Sequence, residues 1–264
     1  MTDPWLGIAL VLGTLGALLA ALSRTSDRHP ELARKAVHVG MGLAVLTFPW
    51  LFAHPWPVLV LAGATTLAFI ALRLAGARRF AIGRTLHAVE RPSLGEIHYV
   101  LGTCAVFVLA AGSALLYCVP MLVLAFADTA AALVGARCGR RIFIGGKTLE
   151  GSLACFAVAW CCTWGVLALV VPAPAGELAA TAALVALVAA AMEALGPRGL
   201  DNLLVPLGTF AALDASGVAK LAAPGNHGVG AAIALVAAAA LVALAALPVA
   251  RPPACATAPG GEAR

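Results

Sequence analysis

Long apolar runs separated by short polar loops dominate the sequence and predict a helical membrane protein. Nine such runs can be drawn, at 5–22, 36–52, 57–75, 94–111, 115–134, 151–171, 178–195, 203–213 and 229–247. Most approach the ~20 residues that an α-helix needs to cross the hydrocarbon core of a bilayer. The eighth run is short and contains Pro206, which favours a broken, tilted or re-entrant segment. We therefore predict an all-α fold, a polytopic transmembrane helical bundle of about nine spans.

Composition agrees with this pattern. Of the 264 residues, 62% are hydrophobic and 11% are charged, which is too apolar for a soluble domain of this size. No basic residue precedes the first run and no small-residue cleavage site follows it, so we interpret it as a transmembrane helix and not as a signal peptide. The seven cysteines form no CxxC pair and are interpreted as small buried residues, without a zinc site or disulfides. Residues 1–250 are predicted to form one integral-membrane domain, and 251–264 a disordered tail.

The basic residues indicate the orientation. With the N-terminus outside, 16 of the 17 lysines and arginines fall on one side of the membrane, and only Lys220 lies opposite. Basic loops remain in the cytoplasm, so we predict an external N-terminus and a cytoplasmic C-terminus. The net charge of +5 thus reflects topology and does not indicate a nucleic-acid partner. The connector 77–92 mixes arginines with apolar residues, which fits either a helix in the headgroup layer or a solvated basic loop.

The unusual polar residues collect on this same predicted face. They are Arg34, Lys35 and His38 at the start of the second run, Glu96 in the fourth, Asp128 about two turns before the end of the fifth, Lys147, Thr148 and Glu150 around the start of the sixth, Glu193 near the end of the seventh, and Asp201 and Asn202 before the eighth. The outer loops contain far fewer polar groups. A single cytoplasm-facing site is therefore predicted, which can use a nucleotide while drawing a second substrate from the bilayer.

The residue types in this set indicate phosphate and metal chemistry. A carboxylate inside an apolar run, such as Asp128, costs roughly 2.5–3.5 kcal/mol on insertion scales and is a functional candidate for that reason. Lys147 lies beside a predicted helix N-terminus, where free amide groups favour anions. Hard cations such as Mg²⁺ prefer carboxylate and amide oxygens, whereas phosphates prefer lysine and arginine. The set as a whole predicts a Mg²⁺–phosphate site.

Each residue also has a plainer structural explanation. The basic pair Arg34–Lys35 can anchor a span, His38 can be a packing residue, and Lys147 can be one more inside-positive charge. Glu150 can stabilise a helix start through the dipole. The pair Asp201–Asn202 can cap a helix, and Glu193 can pair with Arg198. No GxxxxGK[ST] loop and no protein-kinase HRD or DFG motif is present, so neither of those nucleotide sites is predicted.

Five segments in order resemble the phytol kinase and dolichol kinase family. They are ELARKAVHVG at 31–40, RPSLGEI at 91–97, DTAAALVG at 128–135 with Gly139, KTLEGS at 147–152, and the ending from Glu193 through GLDN at 199–202 to Pro206. Together they cover about 31–206. The KTLEG element is also similar to phosphatidate cytidylyltransferases, but their Gly-His-Gly-Gly segment with its Asp-Arg pair is absent here.

The resemblance implies a CTP-dependent lipid kinase that converts an isoprenoid alcohol, of the phytol, geranylgeraniol or polyprenol type, to its phosphate. Metal binding is assigned to Asp128, Asp201 and Glu193, with Asn202 and Glu150 as supporting donors. Phosphate and nucleotide binding are assigned to Lys147, Arg34, Lys35, Thr148 and Asn202. The general base is Asp128, Glu96 or His38, a choice that the sequence leaves open.

Three other functions remain as alternatives. A CTP:diacylglycerol kinase would share the chemistry, and a phosphatidate cytidylyltransferase-like enzyme would release pyrophosphate instead of CDP. A small membrane transporter would place its charged groups at mid-membrane or on both faces. No organelle-targeting stretch is evident, so a bacterial cytoplasmic membrane is the expected location.

Overall fold

The computed structural model describes residues 3–23, 30–74, 94–142, 146–222 and 228–246. Within these ranges every regular element of secondary structure is a helix, and β-structure is limited to an isolated bridge between Ile142 and Thr148. The all-α prediction is therefore confirmed for the described chain. The connector 77–92 and the tail 251–264 lie outside the described residues, so what we predict for them stays a prediction.

Ten α-helices follow one another in the described chain. They are α1 (Pro4–Ser23), α2 (Pro30–Val45), α3 (Phe48–Leu51), α4 (Trp56–Leu74), α5 (Gly95–Leu109), α6 (Ala114–Cys138), α7 (Leu149–Val170), α8 (Ala175–Leu195), α9 (Asp201–Ala215) and α10 (Val229–Ala246). A 3₁₀ turn at Pro197–Gly199 precedes α9, and a second at Val218–Leu221 follows it.

Side-chain caps define where two central helices begin. Ser113 is the N-cap of α6 and accepts a hydrogen bond from the Leu116 amide at 3.3 Å. Thr148 is the N-cap of α7 and accepts one from the Gly151 amide at 3.2 Å. Such caps satisfy amide groups that the first helical turn leaves unpaired. Thr148 thereby fixes the start of α7 next to Lys147.

Helix α6 is the centre of the bundle. It packs against α2, α5, α7, α9 and α10. In an apolar 18-residue stretch of this helix 78% of the residues are buried, against 22% to 39% in the corresponding stretches of the other four long apolar helices. A helix that is surrounded on all sides must be apolar around its whole circumference. Asp128 is a buried charged exception within this helix, and its surroundings are therefore a candidate functional site.

Five helices, one of which is α6, form a ring around an internal space. Helix α1 packs on α2 and α4, α4 packs on α5, and α6 packs on both α2 and α5. We call these five helices, α1, α2, α4, α5 and α6, the five-helix ring. Of the remaining helices, α7, α9 and α10 also pack on α6, α9 packs in addition on α5, and α8 packs on α7 and α9.

The helices have the length and composition of an integral membrane protein. In the described chain α1, α6, α7, α8 and α10 are long and apolar enough to cross a bilayer, and shorter apolar helical stretches occur at Lys35–Leu51, Trp56–Ala71 and Gly95–Leu109. Large apolar side chains such as Leu67, Leu187 and Val242 are exposed on the outer faces. Exposed apolar surface of this kind is suited to contact with lipid.

Each of the nine predicted runs contains a helix, but the structure differs from the prediction in three details. The run 36–52 is divided by a turn at Leu46 and Thr47 into α2 and α3. Helix α6 continues four residues past the predicted end, to Cys138, because Gly135 and Arg137 do not stop a helix. The broken-helix alternative for the eighth run is wrong, since α9 is continuous through Pro206, while the tilted and re-entrant alternatives stay predictions. The count of nine spans and the orientation stay predictions.

Candidate active site

The polar residues meet where six helix ends converge. These are the beginnings of α2, α5, α7 and α9 and the ends of α6 and α8. Successive helices that run in opposite directions bring these ends together. They are also the ends that the distribution of basic residues assigns to the cytoplasm.

Asp128 forms a buried ion pair inside this convergence. Lys35 Nζ on α2 donates to Asp128 Oδ2 at 2.9 Å, and the two side chains are only 5% and 8% exposed. His38, one turn further along α2, places Nε2 at 3.5 Å from the same oxygen and at 3.1 Å from the Leu124 carbonyl oxygen. Since a carbonyl oxygen only accepts, Nε2 is the protonated nitrogen in this contact. The pair therefore ties α2 to α6 and compensates the charge of Asp128.

Lys147 occupies a second cluster next to the first. Its ammonium group donates to Glu193 Oε1 at 2.5 Å and to Asp201 Oδ2 at 2.8 Å. Ser152 Oγ donates to the other oxygen of Glu193 at 3.2 Å. Burial by itself would lower the pKa of Lys147, but the neighbouring carboxylates Asp201 and Glu193 outweigh it and hold this pKa above its ordinary value. Lys147 is therefore charged at neutral pH.

The three carboxylates form a potential cation site. One ligand oxygen from each of Asp128, Glu193 and Asp201 lies within 4.8 Å of the other two. A set of carboxylate oxygens is what Mg²⁺ prefers, so the donor set fits this ion. Within the two clusters, two ammonium groups face three carboxylates, which leaves one negative charge in excess. The second oxygen of Asp128, Oδ1, makes no hydrogen bond within the described chain.

Close helix packing positions the loop that carries Lys147. Helices α6 and α7 cross at Gly135 and Gly151, where a Cβ on Gly151 would lie 2.8 Å from the Ala131 carbonyl oxygen and 3.0 Å from Thr148 Oγ1. Such distances leave no room for a side chain at this position. The glycines of the DTAAALVG and KTLEGS segments thus allow the approach that brings Lys147 to Asp128.

Glu150 supports the same loop from outside. Its Oε2 accepts hydrogen bonds from the backbone amides of Arg140 and Arg141, at 3.1 and 3.4 Å. The Leu149 amide donates to the Arg141 carbonyl oxygen at 2.9 Å, which closes the loop at its base. Glu150 is not among the cavity-lining residues, so its contacts are those of a loop support.

Two further polar contacts connect helix α5 to the start of α9 and to the turn before it. Asn202 Nδ2 donates to the Gly95 carbonyl oxygen at 2.9 Å, and His98 Nδ1 lies 3.0 Å from the Gly199 carbonyl oxygen. The Asp201 carboxylate also accepts from the Asn202 amide at 3.0 Å, so it stabilises the start of α9 while it holds Lys147. These contacts flank Glu96, which lies between Gly95 and His98 in α5, and fix it at the rim of the site.

One cavity of about 1030 Å³ unites these groups with an apolar region. At one end it is lined by the polar residues Lys35, His38, Glu96, Asp128, Lys147, Thr148, Glu193, Asp201 and Asn202. From there it continues within the five-helix ring. Small-molecule pockets usually have ~300–1,000 Å³, so this cavity has the volume for more than one ligand. A polar end joined to an apolar interior suits a reaction between a polar and a lipid substrate.

The chain is similar to a characterised enzyme. It is 32% identical over 222 residues to a phytol kinase of Synechocystis sp., an alignment that covers 78% of this chain and 89% of the relative. The chain belongs to the phytol kinase family. It is thus a kinase with an alcohol acceptor. No protein-family model and no solved structure matches it.

Most of the residues assigned from the sequence come together at this phytol kinase-like site. Nine of them line the cavity, as given above. Glu150 is separate from the carboxylate cluster and bonds the loop backbone. The side chain of Arg34 lies outside the described residues. The interpretation of the cysteines as buried residues holds for Cys118, Cys155 and Cys162, whereas Cys104 is half-buried and Cys138 and Cys161 are exposed.

Some residues at the site were not identified from the sequence. Ser152 bonds Glu193, His98 holds Gly199, and the Tyr99 ring packs edge-on against His38 with centroids 5.3 Å apart. His98 and Tyr99 follow Glu96 by two and three residues on α5. The three-residue spacing places Tyr99 on the same helical face as Glu96, a signal that could have included Tyr99 but not His98.

Proposed function

We propose that the protein uses CTP and Mg²⁺ to phosphorylate an isoprenoid alcohol at the cytoplasmic face of a bacterial cytoplasmic membrane. One observation carries this proposal: a cluster of two lysines and three carboxylates lies at the polar end of a cavity whose other end is apolar. The name of the relative, a phytol kinase, supports the acceptor class. The distribution of lysine and arginine supports the cytoplasmic face.

The residues fit the requirements of phosphoryl transfer. Such a reaction needs reactants in line and neutralisation of charge more than it needs covalent chemistry from the protein. Asp128, Glu193 and Asp201 would hold Mg²⁺, which when bound supplies positive charge beside the transferring phosphate. Lys147 and Lys35 would bind phosphate oxygens, with Thr148, Asn202 and Arg34 around the nucleotide. Glu150 acts through the loop, as a positioning residue for Lys147.

The chemical step transfers the terminal phosphoryl group of CTP. The hydroxyl oxygen of the alcohol forms a bond to the γ-phosphorus, the bond to the bridging oxygen breaks, and CDP leaves with that oxygen. The hydroxyl proton must pass to a base. Asp128 accepts from Lys35 and belongs to the proposed cation site, and His38 is held against Asp128 and the Leu124 carbonyl oxygen. We assign the base to Glu96, a carboxylate on α5 that lines the polar end of the cavity.

The direct test is transfer of label by the purified protein. With γ-labelled CTP, Mg²⁺ and phytol or geranylgeraniol, we expect a labelled alkyl phosphate after thin-layer separation. Glu193→Gln should lose at least about 100-fold in rate, because it removes a carboxylate that faces both Lys147 and the cation site. Glu177→Gln is the matched control, since Glu177 is exposed at the opposite end of the same helix α8.

The alternatives give different products in the same assay. Pyrophosphate release with phosphatidate would replace this proposal by cytidylyl transfer, and phosphorylation of diacylglycerol alone would change the acceptor. A nucleotide panel tests CTP. Glu96→Gln should lower kcat with little change in the KM for nucleotide; an unaltered kcat would exclude Glu96 as the base.

A further inference from the structure

The cavity of the active site continues from the charged cluster into an apolar shaft within the five-helix ring. Its walls are apolar side chains from four helices: Val11, Leu15, Met41, Leu61, Phe69 and Val100. The hydroxyl of Thr65, which also faces the shaft, is bonded to the Leu61 carbonyl oxygen of its own helix at 2.6 Å. The shaft is thus suited to a hydrocarbon chain and begins directly beside Lys35 and Asp128.

The far end of the shaft is closed by three well-packed side chains. Val45, Phe48 and Val58 line it and are at most 3% exposed. The Phe48 ring stacks on Tyr117 with an interplanar angle of 9°, and the Tyr117 hydroxyl donates to the Val45 carbonyl oxygen at 3.0 Å. We call Val45, Phe48 and Val58 the floor. Because Val45 and Phe48 are held by α6 through Tyr117, this part of the floor is not easily displaced.

The helices give the depth of the shaft. Ten residues separate Lys35 from Val45 along α2, which at 1.5 Å per residue is about 15 Å. Along α4, eleven residues separate Phe69 from Val58, or about 16 Å. A zigzag hydrocarbon with ~1.5 Å bonds advances about 1.3 Å per carbon, so this depth takes roughly twelve main-chain carbons.

We propose that the floor limits the acceptor to about four isoprene units, and that Val58 is a determinant of this limit. Each isoprene unit contributes four main-chain carbons, so the shaft holds three units, and the first unit with the hydroxyl lies among the charged residues. The inference rests on the proposed function, since it assumes that the lipid substrate is an isoprenoid alcohol. Polyprenols of ten or more units exceed the shaft.

Substitution of the floor tests the limit. Val58→Phe fills the end of the shaft, so the rate with four-unit alcohols should fall at least ten-fold, while the rate with two-unit geraniol stays within two-fold of wild type. Retained activity on geraniol shows that the variant is folded. Val60→Phe is the matched control, because Val60 is 44% exposed on the outside of the same helix. An equal loss with every chain length, or efficient phosphorylation of long polyprenols by wild type, would overturn the proposal.

Photolabelling tests the same point without turnover. A four-unit alcohol with a diazirine at its tail end should label the floor region, at Phe48 or Val58, when bound to the protein. Label on the lipid-facing surface of α7 or α10 instead would refute the shaft assignment even if the alcohol is phosphorylated. Label on the floor without phosphorylation by any nucleotide would refute the proposed function and leave the shaft assignment intact.

Discussion

The two lysines of the active site make different kinds of ion pair. Lys35 and Asp128 form a one-to-one pair that is almost fully buried. Lys147 is 26% exposed and bridges two carboxylates, Glu193 and Asp201. In the first pair one positive and one negative charge cancel, and solvent hardly reaches them. In the second group two carboxylates face one ammonium group, and the lysine is partly exposed to solvent. The comparison indicates that Lys35 has a large structural role and that Lys147 lies where its partners can be shared with a ligand.

The largest expected effect comes from breaking the balanced pair. Lys35→Met leaves the Asp128 carboxylate buried without its ammonium partner, which should destabilise the protein by about 3–5 kcal/mol. Thermal unfolding in detergent should report a Tm lowered by roughly 5–15 °C. The double variant Lys35→Met/Asp128→Asn should regain most of this Tm without regaining activity. A single variant as stable as wild type would show that the pair is not structurally important.

Removal of the accessible lysine should affect activity more than stability. Lys147→Met should lower the transfer rate by at least about 100-fold, because it removes a positive charge that we propose binds the phosphates of the nucleotide. Its unfolding free energy should fall by less than that of Lys35→Met, because water and cations that reach the partly exposed Lys147 position can compensate the buried Glu193 and Asp201 carboxylates. Equal losses of stability in Lys147→Met and Lys35→Met would contradict the distinction between the two pairs.

The pH dependence of Lys147 has a definite sign. Its pKa is raised above its ordinary value of 10.5, so its contribution to stability is fully present below pH 10.5 and is lost only as the pH rises through the higher folded-state value. The Tm difference between wild type and Lys147→Met should therefore be constant from about pH 7 to 9. A difference that shrinks within this range would contradict the assignment of a charged Lys147.

A smaller effect is expected at the helix crossing that brings the two pairs together. Gly151→Ala places a methyl group against Ala131 and Thr148, and the strain should cost about 1–3 kcal/mol and displace Lys147. Gly176→Ala in α8 is the control, since its Cβ would meet nothing within 4 Å. Unfolding and activity should both change in Gly151→Ala alone. Identical behaviour of the two variants would show that the close crossing is unimportant.

The smallest effect is expected for a polar group outside both pairs. The Thr163 hydroxyl is fully buried in α7 and has no hydrogen-bond partner in the described chain. Thr163→Val removes an unsatisfied group at nearly equal volume, so stability should stay unchanged or rise by up to about 1 kcal/mol, with normal activity. A marked loss of activity would assign this hydroxyl a role that its surroundings do not indicate.

The candidate site residues could be grouped from the sequence because charge is rare in this chain. Asp128, Lys147, Glu193 and Asp201 could be assigned to one face since each lies at the predicted cytoplasmic end of its helix. Their pairing could not be predicted, because the partner of a helix-end charge depends on how the helices rotate and pack. Glu150 illustrates this point: its sequence position resembles that of a site residue, but its carboxylate turns to the Arg140 and Arg141 amides.

The fold also shows which features the sequence pattern predicts and which depend on packing. Apolar runs predicted where helices occur, but a fall in hydropathy does not mark a helix end. Helix α6 therefore continues to Cys138, which places Asp128 ten residues, or about 15 Å, from its end, deeper than the predicted two turns. Conversely, the turn at Leu46 and Thr47 interrupts an apolar run without any change in polarity.

The turn between α8 and α9 has a length that cannot be altered without displacing residues of the site. Arg198 and Gly199 both have positive φ, 54° and 86°, and Gly196 lies so close to Asp201 that a side chain would collide with its backbone. Glu193 and Asp201 reach one ammonium group because this reversal has a fixed length. One inserted residue would rotate the α9 phase by about 100° and turn Asp201 away. Natural and engineered variants should thus not tolerate an insertion in this connection.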